Sequence, residues 1–368
     1  MTRILYFTRD LTTHDHRFLT ALSQTDYQIY YLRLEQRGHP LEDRALPAQV
    51  EIVSWAGGRS PTRLRNGYKL YTDLKRVIRE IKPDLVQSGP LQTAAFLVAL
   101  TDYRPLISMS WGYDLLLDAG RNSLWSWATR YTLNHSAVMV GDCNTIRQIA
   151  IHYGMPDHRI VTFPWGIDLE HFCPDFSERR TDRQTFTLLS TRGWESIYGV
   201  DVLAKAFVQA AKQRPELRLV MLGNGSQASY LRQTFARSEV MDQVYFPGQI
   251  SQRDLPRYYR SADLYVSASR SDGTSISLLE AMACGCPVLV SDIPGNREWV
   301  TQGVQGWLFT DGNSNDLALA ILKAIDARLQ LLEYGRAARQ LAEQRANWNE
   351  NFKVLLKAHE LALSVQSQ

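Results

Sequence analysis

Cysteine is scarce in this chain, with four unevenly spaced residues among 368. A secreted disulfide framework needs a dense and even set of cysteines, so the sequence predicts a reducing, cytoplasmic environment. Long apolar runs are also absent, since no stretch of about 18 apolar residues occurs. The start MTRILYFTRD lacks the apolar segment of a signal peptide. We therefore expect no membrane-spanning helix, and any membrane contact should be peripheral, at the inner face.

The chain also has little net charge and no metal-binding sequence pattern. The 41 Lys and Arg residues barely exceed the 38 Asp and Glu residues, and a net charge of +3 does not indicate a nucleic-acid partner. No Asp-x-Asp sequence occurs, and His, Cys and Asp residues do not cluster at metal-ligand spacing. A transferase that binds a diphosphate through a metal motif is therefore not indicated. We expect neither a metal nor a cofactor.

Two series of short apolar runs alternate with helical patterns along the chain. The first series is RILYF (3–7), QIYYL (28–32), VEIVS (50–54), DLVQ (84–87), PLISMS (105–110) and AVMV (137–140). The second is FTLLST (186–191), LRLVML (217–222), VYF (244–246), DLYVSA (263–268) and PVLVS (287–291). This alternation predicts an α/β protein with two Rossmann-like domains that face each other across a cleft.

The restart of the pattern sets the predicted domain bounds. An N-terminal domain is expected over 1–168 and a second domain over 169–345, with a linker near 168–184. Past residue 314 the spacing of apolar residues is helical throughout. The last segment, 346–368, is predicted to be a helix that packs back toward the N-terminal domain.

The segment SDGTSISLLEAMACGCP (271–287) has the features of an anion site. It places Asp272 and Gly273 in a turn, and Thr274 or Ser275 can cap the helix that follows. The free amides and dipole of a helix start suit phosphate. Glu280 follows about a turn and a half later and could accept hydrogen bonds from a diol such as a ribose. A capped helix with a solvent-facing Glu280 remains an alternative.

A second polar loop follows the first strand of the second series. In STRGWESIYG (190–199), Arg192 can face the same phosphates bidentately. The alternative is an ion pair between Arg192 and Glu195. The nearby MLGNGS (221–226) contains Gly223 but lacks the full glycine spacing of a dinucleotide fingerprint, so it indicates little by itself.

Basic and apolar residues separate onto two faces over 65–82. The apolar face is predicted to carry Tyr71, Leu74, Ile78 and Ile81, and the opposite arc Arg65, Lys69, Lys75, Arg76 and Arg79. Such a pattern is typical of either a solvated helix face or a contact with anionic lipid. The tryptophans of SLWSWATRY (123–131) are expected in the core, as is usual at this spacing.

Several of these motifs, in this order, resemble the retaining nucleotide-sugar glycosyltransferases of family 4, which have the GT-B architecture. DGTSISLLE (272–280) resembles the family's E(x7)E segment, with Asp272 at the first position and Glu280 at the second. FPWGIDLEHFCP (163–174) resembles the entry to the second domain, and TRGWESIYGVDVL (191–203) resembles the R…K-G loop. VYFPGQ (244–249) resembles the F-x-G segment. The resemblance covers nearly the whole chain.

The resemblance implies a role for each matching residue. Glu280 would hold the ribose, Asp272 a hydroxyl of the transferred sugar, and Arg192 the departing diphosphate. The base would meet backbone groups of the residues after the F-x-G phenylalanine. The full donor-binding set is Tyr198, Gly223, Gly248, Gln249, Ile250, Gly273, Thr274 and Ser275.

Two positions depart from the family pattern. Tyr198 replaces the family's loop lysine, and Trp111 stands at the usual histidine, which leaves Asp114 as the nearest polar candidate for a catalytic role. The function implied is a retaining, metal-independent transfer of a sugar from a nucleoside diphosphate donor to a glycan, lipid-linked or small-molecule acceptor, with an anionic membrane surface as a further partner. An inactive nucleotide-sugar-binding module and a GT-B nucleotide-sugar epimerase are the alternatives.

Overall fold

The computed structural model describes residues 1–36, 42, 44–175 and 184–365. The chain divides into two compact units, of which the first is Met1–Phe163 with the residues from Phe352 onward, and the second is Pro164–Asn351. The chain thus passes from the first unit to the second a few residues before the predicted boundary at 168. It returns to the first unit a few residues after the predicted boundary at 346. Residues 176–183 of the predicted linker are outside the described residues.

The first unit is built on a parallel sheet. Its described strands are β1 (Arg3–Thr8), β2 (Gln28–Arg33), β3 (Val50–Ile52), β4 (Leu85–Gly89), β5 (Leu106–Met109), β6 (Val138–Gly141) and β7 (Ile160–Thr162). Their order across the sheet is β3-β2-β1-β4-β5-β6-β7. The six predicted strands are confirmed, but β7 was not predicted. It is a three-residue strand at the edge of the sheet.

Helices cover both faces of this sheet. They are α1 (Thr13–Leu22), α2 (Gly67–Ile81), α3 (Ala94–Leu100), α4 (Ser123–His135), α5 (Asn144–His152) and, from Phe352 onward, α13 (Trp348–Val365). Buried residues of α2 and α3 pack with Leu5, Phe7 and Val86 of the central strands. On α13, His359 Nε2 lies 2.7 Å from Gln87 Oε1 on β4, and His359 is fully buried. This pair anchors the last helix in the first unit.

The second unit has its own parallel sheet. Its described strands are β8 (Phe186–Ser190), β9 (Leu217–Leu222), β10 (Val244–Gly248), β11 (Leu264–Ser267), β12 (Val288–Ser291) and β13 (Gly306–Phe309). Their order is β10-β9-β8-β11-β12-β13. The sequential order of the strands therefore reverses between β8 and β11, although all of them are parallel. The five predicted strands are confirmed, and β13 was not predicted.

Two apolar clusters flank the second sheet. The described helices are α6 (Val200–Ala211), α7 (Ala228–Arg237), α8 (Leu255–Ser261), α9 (Ile276–Ala283), α10 (Pro294–Arg297), α11 (Ser314–Asp326) and α12 (Leu331–Arg345). One cluster joins α6, α7 and α11 to the sheet, and the other joins α8, α9 and α12. The helical character predicted past residue 314 is confirmed for the described residues, apart from short breaks at Ala327 and at 346–347.

Two expectations about the first unit need correction. The buried residues of α2 are Leu70, Leu74 and Val77, a face slightly rotated from the predicted one, although the predicted basic residues are exposed as expected. Trp127 on α4 is not in the core: it is 50% exposed, and Leu124 is 66% exposed. The reason is that α4 buries only the face that carries Ala128, Thr129, Thr132 and Leu133.

Candidate active site

The candidate site lies where β8 and β11, the central neighbours of the second sheet, end. All strands of this sheet are parallel, so the loops after β8, β11 and β12 emerge at one edge. Arg192 follows β8, and Asp272 follows β11. A position where strand order reverses is where open α/β sheets bind ligands.

Arg192 is held from several sides. Its Nη1 donates to Ser275 Oγ at 2.9 Å and to Ser277 Oγ at 3.1 Å. Its guanidinium carbon lies 4.1 Å from the centroid of the Tyr198 ring, a cation–π contact. Burial acts to lower the pKa of Arg192, but Asp272 and nearby tyrosines outweigh it and raise that pKa. The group is therefore a fixed, permanent cation.

The contact with Tyr198 depends on the glycine that follows it. Gly199 has φ of 59°, and a Cβ there would lie 1.9 Å from the Ala268 carbonyl oxygen. Only glycine fits so close to the end of β11, and the chain turns there into α6. The aromatic ring thus covers the guanidinium at the position where the family usually has a lysine.

The alternative pairing of Arg192 with Glu195 is wrong. Glu195 instead accepts from the backbone N–H of Ser226 at 2.9 Å and from the Ser226 hydroxyl. In the same loop Gly223 donates its N–H to the Gly248 carbonyl at 2.8 Å. The glycine-rich turn therefore braces the Arg192 loop and the F-x-G segment.

Asp272 is close to Arg192. Its Oδ2 lies 2.8 Å from Arg192 Nη2, and both side chains are largely buried. Burial raises the pKa of Asp272, and the guanidinium opposes that rise. The turn is further constrained by Gly295 at the start of α10, where a Cβ would lie 2.4 Å from the carbonyl oxygens of Asp272 and Gly273.

Ser275 stands at the cap position of α9, as predicted, but its hydroxyl does not cap the helix. It bonds Arg192 instead, and the cap has no side-chain hydrogen bond. The first amides of any α-helix lack intrahelical partners, so those of α9 remain available to a ligand. The start of α9 and Arg192 together form a positively polarised corner.

Glu280 lies deeper along α9. Five residues separate it from Ser275, which is about 7 Å along the helix axis. It is 3% exposed, so the alternative of a solvent-facing Glu280 is wrong. Its Oε2 accepts from Tyr259 Oη at 2.8 Å, and its Oε1 lies 3.4 Å from Gln252 Nε2. The carboxylate is thus buried and oriented.

Tyr259 and Ser277 are site residues that the sequence did not reveal. Tyr259, on α8, is fully buried, and its hydroxyl also bonds Thr191 at 3.0 Å. Ser277 bonds both Arg192 and the Tyr265 hydroxyl, the latter at 2.9 Å. The segment RYYRS carries two adjacent tyrosines, and only the packing of α8 decides that Tyr259 is the inner one.

Asp114 belongs to the first unit. It is fully buried, and its carboxylate accepts from Ser110 Oγ at 2.6 Å and from the backbone N–H groups of Leu91 and Leu115 at 3.1 Å. Burial raises its pKa to about 6. Trp111, nearby in sequence, stacks on His14 with ring centroids 6.0 Å apart.

Two negative findings concern the residues that the structure describes. None of their His, Cys, Asp and Glu side chains form a group of three or more that could hold a metal ion. In that same part of the chain, no helix combines the length and the apolar character needed to cross a bilayer.

The chain has two α/β units, each built on a parallel sheet, and this is the GT-B glycosyltransferase fold. The second unit carries Arg192 after β8 and the buried Glu280 on α9. Residues 175–358 match the profile of the glycosyl transferases group 1, and residues 11–171 match that of glycosyltransferase family 4. The chain therefore belongs to the family 4 glycosyltransferases of group 1.

Curated relatives match part of the chain. A D-inositol 3-phosphate glycosyltransferase of Pseudarthrobacter chlorophenolicus is 30% identical over 59% of this chain and 53% of its own length. An alpha-monoglucosyldiacylglycerol synthase of Streptococcus pneumoniae is 30% identical over 58% of this chain and 50% of its own length. The chain thus spans about half the length of these relatives.

Solved structures share the fold over the full chain. HepE of Anabaena, in complex with UDP-glucose, has a TM-score of 0.74 at 19% identity and covers 100% of both chains. Sucrose-phosphate synthase of Thermosynechococcus elongatus has a TM-score of 0.79 at 15% identity, over 99% of this chain and 100% of its own. At this level of identity, the likeness extends to the fold alone.

Proposed function

We propose that this chain is a retaining glycosyltransferase that moves a sugar from a nucleoside diphosphate donor to an acceptor hydroxyl without a metal ion. The observation that carries this proposal is the arrangement along α9. Arg192 and the helix start form a cationic corner, and the buried Glu280 lies about 7 Å further along the axis. That spacing leaves room for a diphosphate between a guanidinium and a carboxylate that accepts ribose hydroxyls.

Arg192 and the amides at the start of α9 would act on the leaving group. Negative charge grows on the diphosphate as the bond to the sugar breaks, and fixed donors stabilise that charge more than they stabilise the ground state. The serine contacts and the Tyr198 ring hold the guanidinium in place before the donor arrives. Tyr198 thus acts by orienting Arg192.

The reaction would proceed on one face of the sugar. The acceptor oxygen attacks the anomeric carbon from the side on which the diphosphate departs, and the electron pair of the breaking bond goes to the phosphate oxygen. That oxygen takes the acceptor proton. This step rests on family analogy.

We assign the remaining donor contacts as the family pattern implies. Backbone groups of Gly248, Gln249 and Ile250 would meet the base, and Gly273 and Thr274 would contact the sugar and diphosphate. We assign Asp114 a positioning role and not a direct catalytic one. Its carboxylate accepts three hydrogen bonds from residues of its own unit.

An anionic membrane surface is the proposed location of the acceptor. Helix α3 packs against both α2 and α4, so these two helices lie on the same face of the first sheet. The exposed arc of α2 carries Lys69 and Lys75, and Tyr68 there is 81% exposed. With Trp127 on α4, this face combines cations with amphipathic aromatics, as interfacial surfaces do. The relative named for a glucosyldiacylglycerol supports a lipid-linked acceptor.

The proposal is tested by the fate of the donor. UDP-, GDP- and ADP-sugars are screened by thermal shift, and those that stabilise the protein are incubated with and without glycan or glycolipid acceptors. We expect release of the nucleoside diphosphate that rises with acceptor. Conversion of the donor sugar without acceptor would instead support the epimerase, and stabilisation without any donor cleavage would support a binding module.

A further inference from the structure

The two groups proposed to bind opposite parts of the donor are bound to each other. Arg192 Nη2 lies 2.8 Å from Asp272 Oδ2, and both side chains are largely shielded from water. Opening of this ion pair would free Nη2 for a diphosphate and Oδ2 for a sugar hydroxyl. Asp272 therefore has a part in binding that its position in the sequence does not reveal.

The geometry of the guanidinium shows how that opening can occur. Nη1 is used by the hydroxyls of Ser275 and Ser277, and the ring of Tyr198 covers one face. Asp272 Oδ2 contacts Nη2 on the remaining edge, while the buried Nε–H donates no hydrogen bond to any described residue. A phosphate group can engage Nε and Nη2 together, which makes a stronger pair than the single contact of Asp272.

We propose that Asp272 occupies, in the free enzyme, the position on Arg192 that the donor's diphosphate takes, so that diphosphate binding releases Asp272 to a hydroxyl of the transferred sugar. This inference rests on the proposed function. It adds an exchange of anions on Arg192 to the family's assignment of these residues. The serines and Tyr198 keep Arg192 in place throughout.

The exchange makes Asp272 a determinant of specificity between the donor and the spent nucleotide. A sugar nucleotide offers hydroxyls that pair with the released carboxylate. A free nucleoside diphosphate displaces the same carboxylate but leaves it unpaired beside the phosphates, where like charges repel. Asp272 therefore lowers the affinity for the nucleoside diphosphate product more than the affinity for the donor. This difference favours release of the nucleotide after transfer.

The test is calorimetric titration of wild type and D272N with UDP, GDP and ADP, and with the matching nucleosides and sugar nucleotides. Asparagine keeps the shape of the side chain and removes its charge. We expect D272N to bind the preferred nucleoside diphosphate about tenfold more tightly, which corresponds to about 1.4 kcal/mol. Affinity for the nucleoside should not change, and affinity for the sugar nucleotide should rise less than that for the nucleoside diphosphate or fall.

The matched control is D326N. Asp326 also pairs with an arginine, Arg214, but at the start of β9, the opposite edge of the same sheet. Its loss should leave every one of these affinities unchanged. D272S, which removes the charge with a smaller side chain, should tighten nucleoside diphosphate binding in the same direction and serves if D272N is not folded by circular dichroism.

The outcomes separate this inference from the function on which it rests. Wild type that binds and cleaves a sugar nucleotide, with nucleoside diphosphate affinity equal or weaker in both folded variants, would overturn the exchange and leave the glycosyltransferase proposal standing. Wild type that binds none of the nucleotides would overturn both.

Discussion

Tyr259→Phe is the most informative single change at the donor site. It removes one hydroxyl and keeps the ring in the core beside Phe172 and Tyr265. The lost contact is the 2.8 Å hydrogen bond to Glu280, in a buried setting. If Glu280 holds the ribose, we expect weaker binding of both the nucleoside diphosphate and the sugar nucleotide.

The size of the effect follows from the contacts of Glu280. A hydrogen bond to a charged group contributes about 1.5–3 kcal/mol to folding stability. Because this bond exists before the ligand binds, affinity falls only through the looser orientation of Glu280, and we expect a decrease of about tenfold. Gln252 still approaches the other carboxylate oxygen at 3.4 Å, so the lower end of the range for stability is expected. Stability should fall by about 2 kcal/mol, because the Thr191 hydroxyl loses its partner as well.

The assay combines titration calorimetry with steady-state kinetics. A positioning role predicts a higher KM for the donor with little change in kcat, and it predicts that Tyr259→Phe has no further effect on affinity in a Glu280→Ala background. Tyr334→Phe, whose exposed hydroxyl bonds Gln330, is the control. Unchanged nucleotide affinity in folded Tyr259→Phe would refute the reasoning.

Three further predictions concern metal, pH and lipid. Activity should survive EDTA, and complete loss restored by Mg²⁺ or Mn²⁺ would contradict the metal-independent proposal. Burial lowers the pKa of His359 to about 3, against about 6.5 in the unfolded chain. The unfolded chain therefore binds a proton that the folded protein does not, and folding stability falls by up to about 1.4 kcal/mol per pH unit as pH drops from 6.5 toward 3. The measurement is the difference in urea unfolding between wild type and His359→Gln across pH 4–7, because the pKa values of Asp15 and Asp114, raised to about 6, act with the opposite sign; equal pH dependence in both proteins would contradict it. Liposome flotation should require anionic lipid, weaken above about 0.15 M salt, and fall in Lys69→Glu and Trp127→Ala; binding that both variants retain would remove the membrane from the account.

Sequence patterns were enough for the class of fold and for most strands. Runs of β-branched and aromatic residues mark the buried central strands, since such strands are apolar on both faces. The edge strands β7 and β13 were missed, and their length is not the reason, because β3, also an edge strand of three residues, was predicted. Exposure of Trp127 could not be read from spacing, since the depth to which α4 is buried depends on its neighbours.

The sequence predicted the positions of the main site residues but not the contacts between them. The positions of Arg192, Asp272 and Glu280 follow from the motif, but the ion pair between the first two depends on β8 and β11 being neighbours in the sheet. Residues that contact the site from other elements carry no signal in one sequence. Tyr259 is the main example, because α8 comes before the motif and is brought to Glu280 only by tertiary packing.

The central claim is that this site cleaves the bond between a sugar and a nucleoside diphosphate and passes the sugar to a hydroxyl with its configuration kept. Proton NMR of the anomeric signal, recorded from the first minutes after donor, acceptor and enzyme are mixed, tests it most directly. We predict a new glycosidic signal with the donor's anomeric configuration in step with nucleotide release, and its loss in Arg192→Ala. A product of inverted configuration, or full activity in Arg192→Ala, would contradict the account.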